Sequence, residues 1–181
     1  ANVDLSDLNA FSALQIRTME NANHMAFWSA IGAEPTPLAW AEVYIALQNG
    51  TIDAQENAAD TCVGANFQEV QKYLACTNHI LYVNQMLINR ETYESLHPSY
   101  QAALEQAVDA ALNEMNPKLE QIDEDNKKLL TDGGMTLIEY DDSFFDSILA
   151  LPGVKELYKD IDSKTEGLAT VLADALENQA Q

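Results

Sequence analysis

The sequence predicts an α/β protein, and three observations carry that prediction. Short segments rich in β-branched and apolar residues alternate with longer amphipathic ones. Proline, glycine and asparagine signals fall between the segments, at Gly32, Asn49-Gly50 and Gly133-Gly134 among others. Apolar residues make up 47% of 181, which indicates a packed core and argues against disorder. No internal repeat or low-complexity tract interrupts the alternation.

Taken in order, residues 1–10 read as a connecting segment with Ser6 placed to cap a single turn. Residues 14–18 read as a strand. Asn21 to Ile31 predicts a helix with Met25, Trp28 and Ile31 on one face and Gly32 as its stop. Glu34-Pro35-Thr36-Pro37 is extended, because each proline moves its predecessor out of the helical region. Ala39 to Gln48 predicts an amphipathic helix, Thr51 to Ala54 a short strand, and Asn57 to about Ala65 a helix, with another turn or two from Phe67 to Lys72. Tyr73 to Asn89 reads as one long, bent strand.

Pro98 opens a helix that runs to about Thr131, with Leu104, Val108, Ala111, Met115, Leu119 and Ile122 repeating at three- and four-residue spacing as a core face. Asn116-Pro117 lies inside it and predicts a kink. Met135 to Tyr140 is a strand, and the remainder is helical, with interruptions at Pro152-Gly153 and around Ser163.

Composition excludes several classes of function. The net charge is −20, from nine Lys and Arg against 29 Asp and Glu, so no basic stripe for nucleic acid is available. Anionic membrane surfaces are disfavoured for the same reason, and no apolar run is long enough to span a bilayer. The N-terminus has no signal-peptide pattern and does not begin with Met, so a processed or truncated product is expected. Cys62 and Cys76 match no metal spacing, and His24, His79 and His97 are not paired as ligands. In an oxidising compartment the two cysteines could form a disulfide; in a reducing one they would be buried thiols. No nucleophile elbow or phosphate loop is present. Asp141-Asp142 and Asp123-Glu124-Asp125 read as helix caps and solvated faces.

One cation is conspicuous. Arg17 is the only positive residue in the first 71, which hold nine acidic residues. It stands at the end of a predicted strand and is either one half of a structural ion pair or a two-pronged clamp for a carboxylate. Asn57, where a strand passes into a helix, is either an N-cap or a ligand contact at a helix start. Trp40 is either core or an aromatic wall beside a bound molecule.

Together these segments resemble a known family. Ile16-Arg17-Thr18-Met19-Glu20-Asn21, then Pro35-Thr36-Pro37-Leu38-Ala39-Trp40-Ala41-Glu42-Val43-Tyr44, then Ile52-Asp53-Ala54-Gln55-Glu56-Asn57 occur in the order and spacing of TRAP-transporter solute-binding proteins of the C4-dicarboxylate-binding (DctP) type. Phe67 to Leu74 and Thr77-Asn78-His79 extend the likeness. Met19, Ala54 and Ala58 depart from the family's usual proline, glycine and proline, which are changes of scaffold.

The resemblance implies a two-lobed, periplasmic-binding-protein-like sandwich around mixed sheets, of which this chain would be the C-terminal part with most of the first lobe absent. Residues 1–90 would be mainly the second ligand-binding lobe with a crossover strand. Residues 91–181 would hold the long spanning helix (about 99–131), strand 135–140 and the C-terminal helices. The implied function is periplasmic capture of a small organic acid, without a cofactor, for delivery to the membrane subunits of a TRAP transporter. Arg17 would hold the carboxylate, Asn57 would hydrogen-bond the ligand, Trp40 would line the cleft and Asn84 would add a polar contact. Alternatives are a ligand sensor for a signalling receptor, a carboxylate-processing enzyme using Glu20, Glu56 or His79, and a ligand-free structural half.

Overall fold

The structure is a computed structural model, and it describes residues 1–80, 83, 85–168, 170 and 171. Its centre is β1 (Gln15–Thr18), flanked by β2 (Glu34–Pro37) and β3 (Ala54–Gln55) in a three-stranded parallel sheet of order β2-β1-β3. The register pairs Arg17 with Thr36 on one side and with Gln55 on the other. The Pro-Thr-Pro run is therefore a paired strand, where the sequence predicted only extended chain. Glu34 donates its N–H to Leu14 O, so Pro35 and Pro37, of opposite parity, turn their missing donors to the open edge.

Between β1 and β2 lies α1 (Ala22–Ala30), and between β2 and β3 lies α2 (Trp40–Gln48). Asn21 caps α1 by accepting from the N–H groups of Asn23 and His24. Gly32, at φ 96°, supplies the left-handed turn after that helix. Trp28 and Ile31 are buried on its inner face, packed with Phe11, Leu14, Ile16 and Val154. The inner face of α2 is Val43 and Leu47, which meet Phe67, Leu130 and Met135 in a second cluster. Asp7, rather than Ser6, caps the first turn, a 3-10 turn at Leu8–Phe11.

A second parallel pair joins β4 (Tyr73–Ala75) to β5 (Thr136–Ile138). All strand pairings among the described residues are parallel. The long strand expected over Tyr73 to Asn89 is thus three residues. Its partner β5 offers only three pairing positions, and Asn78 adopts a left-handed φ of 44° that breaks the extended run. Asn89 instead caps a short helix, α4 (Arg90–Ser95). Between β3 and β4 sits α3 (Ala59–Gly64), which packs on α6 (Leu119–Asp132).

The long helix forms as predicted in two pieces, α5 (Pro98–Met115) and α6, joined by a 3-10 turn at Asn116–Lys118 where Pro117 withdraws a backbone donor. Its apolar stripe is not the core face that periodicity suggested. No residue of α5 is buried, Leu104, Leu112, Met115, Leu119 and Ile122 are exposed, and Leu130 alone is buried in α6. No described element covers the stripe. The chain continues through α7 (Asp142–Ala150), capped by Asp141, and α8 (Pro152–Lys164). No helix among the described residues is long and apolar enough to cross a membrane.

Candidate functional site

Strands β1, β2 and β3 run parallel and end together, so the residues that follow them collect at one edge: Met19 and Glu20, Leu38 to Trp40, and Glu56 and Asn57. After β1 the chain crosses to β2 on one side and later to β3 on the other. The carboxyl edge of β1 is therefore a point where the strand order reverses, and open α/β sheets bind ligands in the crevice at such points.

Arg17 stands at this edge. It is 5% exposed, yet among the described residues it forms no salt bridge. Its Nε donates to Leu38 O at 2.9 Å, which fixes the guanidinium plane. The two terminal amino groups make no hydrogen bond to a described residue. The structural ion pair allowed by the sequence is not formed among the described residues. Burial lowers the Arg17 pKa from its ordinary value, and the nearby Glu56 carboxylate opposes that shift. The guanidinium carbon lies 5.6 Å from the centroid of the Trp40 ring. Trp40 leans its edge on buried Phe67, with centroids 5.7 Å apart, and remains 46% exposed. It is thus half wall and half anchor.

Asn57 does not cap α3; Ala58 occupies the cap position, with no side-chain hydrogen bond. The amide of Asn57 donates to Gln55 Oε1 at 2.7 Å and is otherwise exposed. Asn84 lies outside the described residues. Cys62 and Cys76 are both free thiols, so the disulfide considered from the sequence is not formed. Cys62 is buried and accepts from Gln55 Nε2 at 3.3 Å, whereas Cys76 lies across β4 near Lys127 and Asp123. Burial raises the pKa of both thiols.

Beside these residues the structure assembles a cluster that sequence spacing did not reveal. The Glu56 carboxylate is 6% exposed and accepts three hydrogen bonds: from His24 Nδ1 at 2.6 Å, His79 Nε2 at 2.6 Å and Trp28 Nε1 at 2.7 Å. Burial alone would raise its pKa; the bonds from His79, Trp28 and His24 outweigh burial and leave it below the ordinary value. The His79 ring stacks on Phe27 at 5.1 Å and meets Thr77 Oγ1 through Nδ1 at 2.8 Å. A cavity of about 310 Å³ opens against this cluster, lined by Met19, His24, Asn57, Thr77, His79 and Lys127 among others. Asn57 thus belongs to the cavity wall, whereas Arg17 and Trp40 stand outside it, along the same strand edge. The one available signal for His24 was its four-residue offset from Trp28, which puts both on one face of α1.

The model of the family described as bacterial extracellular solute-binding protein, family 7 (DctP), matches residues 2–148. A solute-binding protein of Verminephrobacter eiseniae is 37% identical over 129 residues, covering 70% of this chain and 38% of that protein. Among solved structures, the periplasmic ectoine-binding protein of the TeaABC TRAP transporter of Halomonas elongata superposes with a TM-score of 0.83 at 27% identity, covering 96% of this chain and 56% of that one. A TRAP periplasmic solute-binding protein of Roseobacter denitrificans with bound L-galactonate gives 0.69 at 31% identity, covering 87% and 56%. The chain therefore spans well under two thirds of the length of these relatives. On its sequence, its parallel α/β fold and the match over most of its length, the chain belongs to the DctP family of bacterial extracellular solute-binding proteins.

Proposed function

We propose that the protein carrying this chain captures a small organic acid in the periplasm and delivers it to the membrane subunits of a TRAP transporter. The observation that carries the reading is Arg17: a buried guanidinium with no carboxylate partner among the described residues, oriented by Leu38 O, at the edge of a sheet where its order reverses. A buried charge without a directly bonded counter-ion is costly even with Glu56 nearby, and a ligand carboxylate would supply that partner. Trp40 would pack beside the bound molecule, while Asn57 and Asn84 would add polar contacts. Relatives named for L-galactonate and ectoine support a carboxylate-bearing solute. The reading is of binding, not catalysis, because the family match is to solute-binding proteins. It favours transport over a sensory role because TRAP proteins recur among the relatives.

The test is a thermal-shift screen of carboxylates on the intact protein. A binding acid stabilises the folded state in proportion to the logarithm of its concentration over Kd. At least one acid is expected to raise the melting temperature, and Arg17→Ala is expected to abolish that rise. A panel with no shift, or a shift that survives Arg17→Ala, would overturn the reading.

A further inference from the structure

Asn57 is exposed, lies where the chain passes from β3 towards α3, and caps no helix. An exposed asparagine samples several rotamers, and immobilising it on binding lowers affinity. Here the side chain is held beforehand. Its Nδ2 donates to Gln55 Oε1 at 2.7 Å, which leaves Oδ1 and the second N–H without a described partner, on the wall of the cavity that Asn57 lines.

Gln55 presents its carbonyl to Asn57 only while its own amide nitrogen points the other way, and two groups receive that nitrogen. Gln55 Nε2 lies 3.3 Å from Cys62 Sγ and 3.4 Å from Gln71 Oε1. Both partners are buried, Cys62 on α3 and Gln71 just before β4. Cys62 Sγ also reaches the main-chain carbonyl of Asn57 at 4.0 Å. Side chain and backbone of Asn57 are thus tied to one buried group of polar atoms. Gln55 is in addition the register partner of Arg17 across β1 and β3, so the support of one proposed contact stands on the strand beside the other. Gln55 itself does not line the 310 Å³ cavity.

We propose that Gln55 is a positioning residue for solute binding: it holds the Asn57 amide in its binding orientation without touching the solute, and Gln71 and Cys62 fix its own orientation. The proposal rests on the reading of Asn57 as a solute contact.

A double-mutant cycle on the intact protein tests this by calorimetry. The probe is whichever of lactate, succinate, D-erythronate and L-galactonate binds tightest. Asn57→Ala is expected to weaken that acid by about 2- to 12-fold, the value of one hydrogen bond. Gln55→Met keeps the side-chain length, removes the carbonyl, and is expected to reproduce most of that loss. In the Asn57→Ala background Gln55→Met is expected to cost nothing further. A merely structural role would weaken binding in both backgrounds, so losses that multiply overturn the proposal. A Gln55→Met protein that binds normally while Asn57→Ala does not overturns it too. If Asn57→Ala binds normally, it is the Asn57 reading that has failed.

Nuclear magnetic resonance relaxation of the side-chain amides in the ligand-free protein gives a readout that needs no solute. The Asn57 Nδ2 order parameter is expected above about 0.6 in the unaltered protein and below it in Gln55→Met. A value below about 0.6 in the unaltered protein means that Asn57 is not held beforehand and overturns the proposal, even if Gln55→Met does not fold or none of the acids binds.

Discussion

The guanidinium carbon of Arg17 sits 5.6 Å from the Trp40 ring centroid, and the same side chain donates through Nε to Leu38 O at 2.9 Å. Leu38 and Trp40 both follow β2, so the passage from β2 into α2 grips the arginine twice. Nε and one ring face are engaged, which leaves the two terminal amino groups as a pre-oriented fork. Arg17→Lys should therefore be nearly as damaging as Arg17→Ala, because a lysine restores charge but not the planar pair of donors. A charge-assisted bond of about 1.5–3 kcal/mol corresponds to a loss of roughly 10- to 150-fold in affinity. Calorimetry with the acid identified by thermal shift checks it; near-normal affinity in Arg17→Lys would show that charge alone suffices.

Trp40 should contribute less, and mainly through its ring. Its exposure of 46% leaves a face for a solute, while the Phe67 contact and the cation–π contact hold it in place. Trp40→Ala is expected to weaken acid binding by about 2- to 30-fold, matching roughly 0.5–2 kcal/mol for a cation–π contact. Trp40→Phe should recover most of that. Equal losses in the two variants would remove the ring-face argument.

What was legible in the sequence was local. Ile16-Arg17-Thr18, Pro35-Thr36-Pro37 and the Asp53-to-Asn57 stretch each carry their conformation in a few consecutive residues, and three such blocks fixed the sheet edge. The Glu56 cluster was not legible, because His24, Trp28, Glu56 and His79 come from three separated segments that meet only after the sheet forms. The length of β4 failed for a related reason. Apolar, β-branched residues from Tyr73 to Asn89 satisfy strand propensity, but a strand extends only as far as its partner, and β5 supplies three positions. Periodicity in α5 correctly gave a helix with an apolar stripe; it could not say whether a described element would cover it.

Gly153 should be sensitive to size. A Cβ there would stand 3.1 Å from Ala30 Cβ and 3.3 Å from Ala30 Cα, where the first turn of α8 meets the end of α1. Gly153→Leu is expected to cost about 1–3 kcal/mol by overpacking. Gly153→Ala should cost less, since a helix-propensity gain of roughly 1 kcal/mol opposes a tight but small contact. Urea midpoints at constant m-value rank the two. A Leu variant as stable as the original would mean that α1 and α8 separate easily. That would also loosen the helix that aims His24 and Trp28 at Glu56.

Glu56 gives a pH signature whose sign follows from its environment. Its folded pKa lies below the ordinary 4.5, because the bonds from His79, Trp28 and His24 overcome burial. A depressed carboxylate pKa means that the unfolded chain binds the proton more readily, so the stabilisation is present above the unfolded value. It is lost as pH falls from about 4.5 through the lower folded pKa. Glu56→Gln keeps the shape but turns one of the two acceptor oxygens facing three N–H groups into an NH2 donor. At neutral pH it should destabilise by roughly 3–5 kcal/mol, as when one partner of a buried pair is removed. Because Gln does not titrate, the gap between variant and original should narrow as denaturation midpoints are followed from about pH 7 to about pH 3. A gap that stays constant over that range would mean that Glu56 is not the depressed carboxylate its three donors imply.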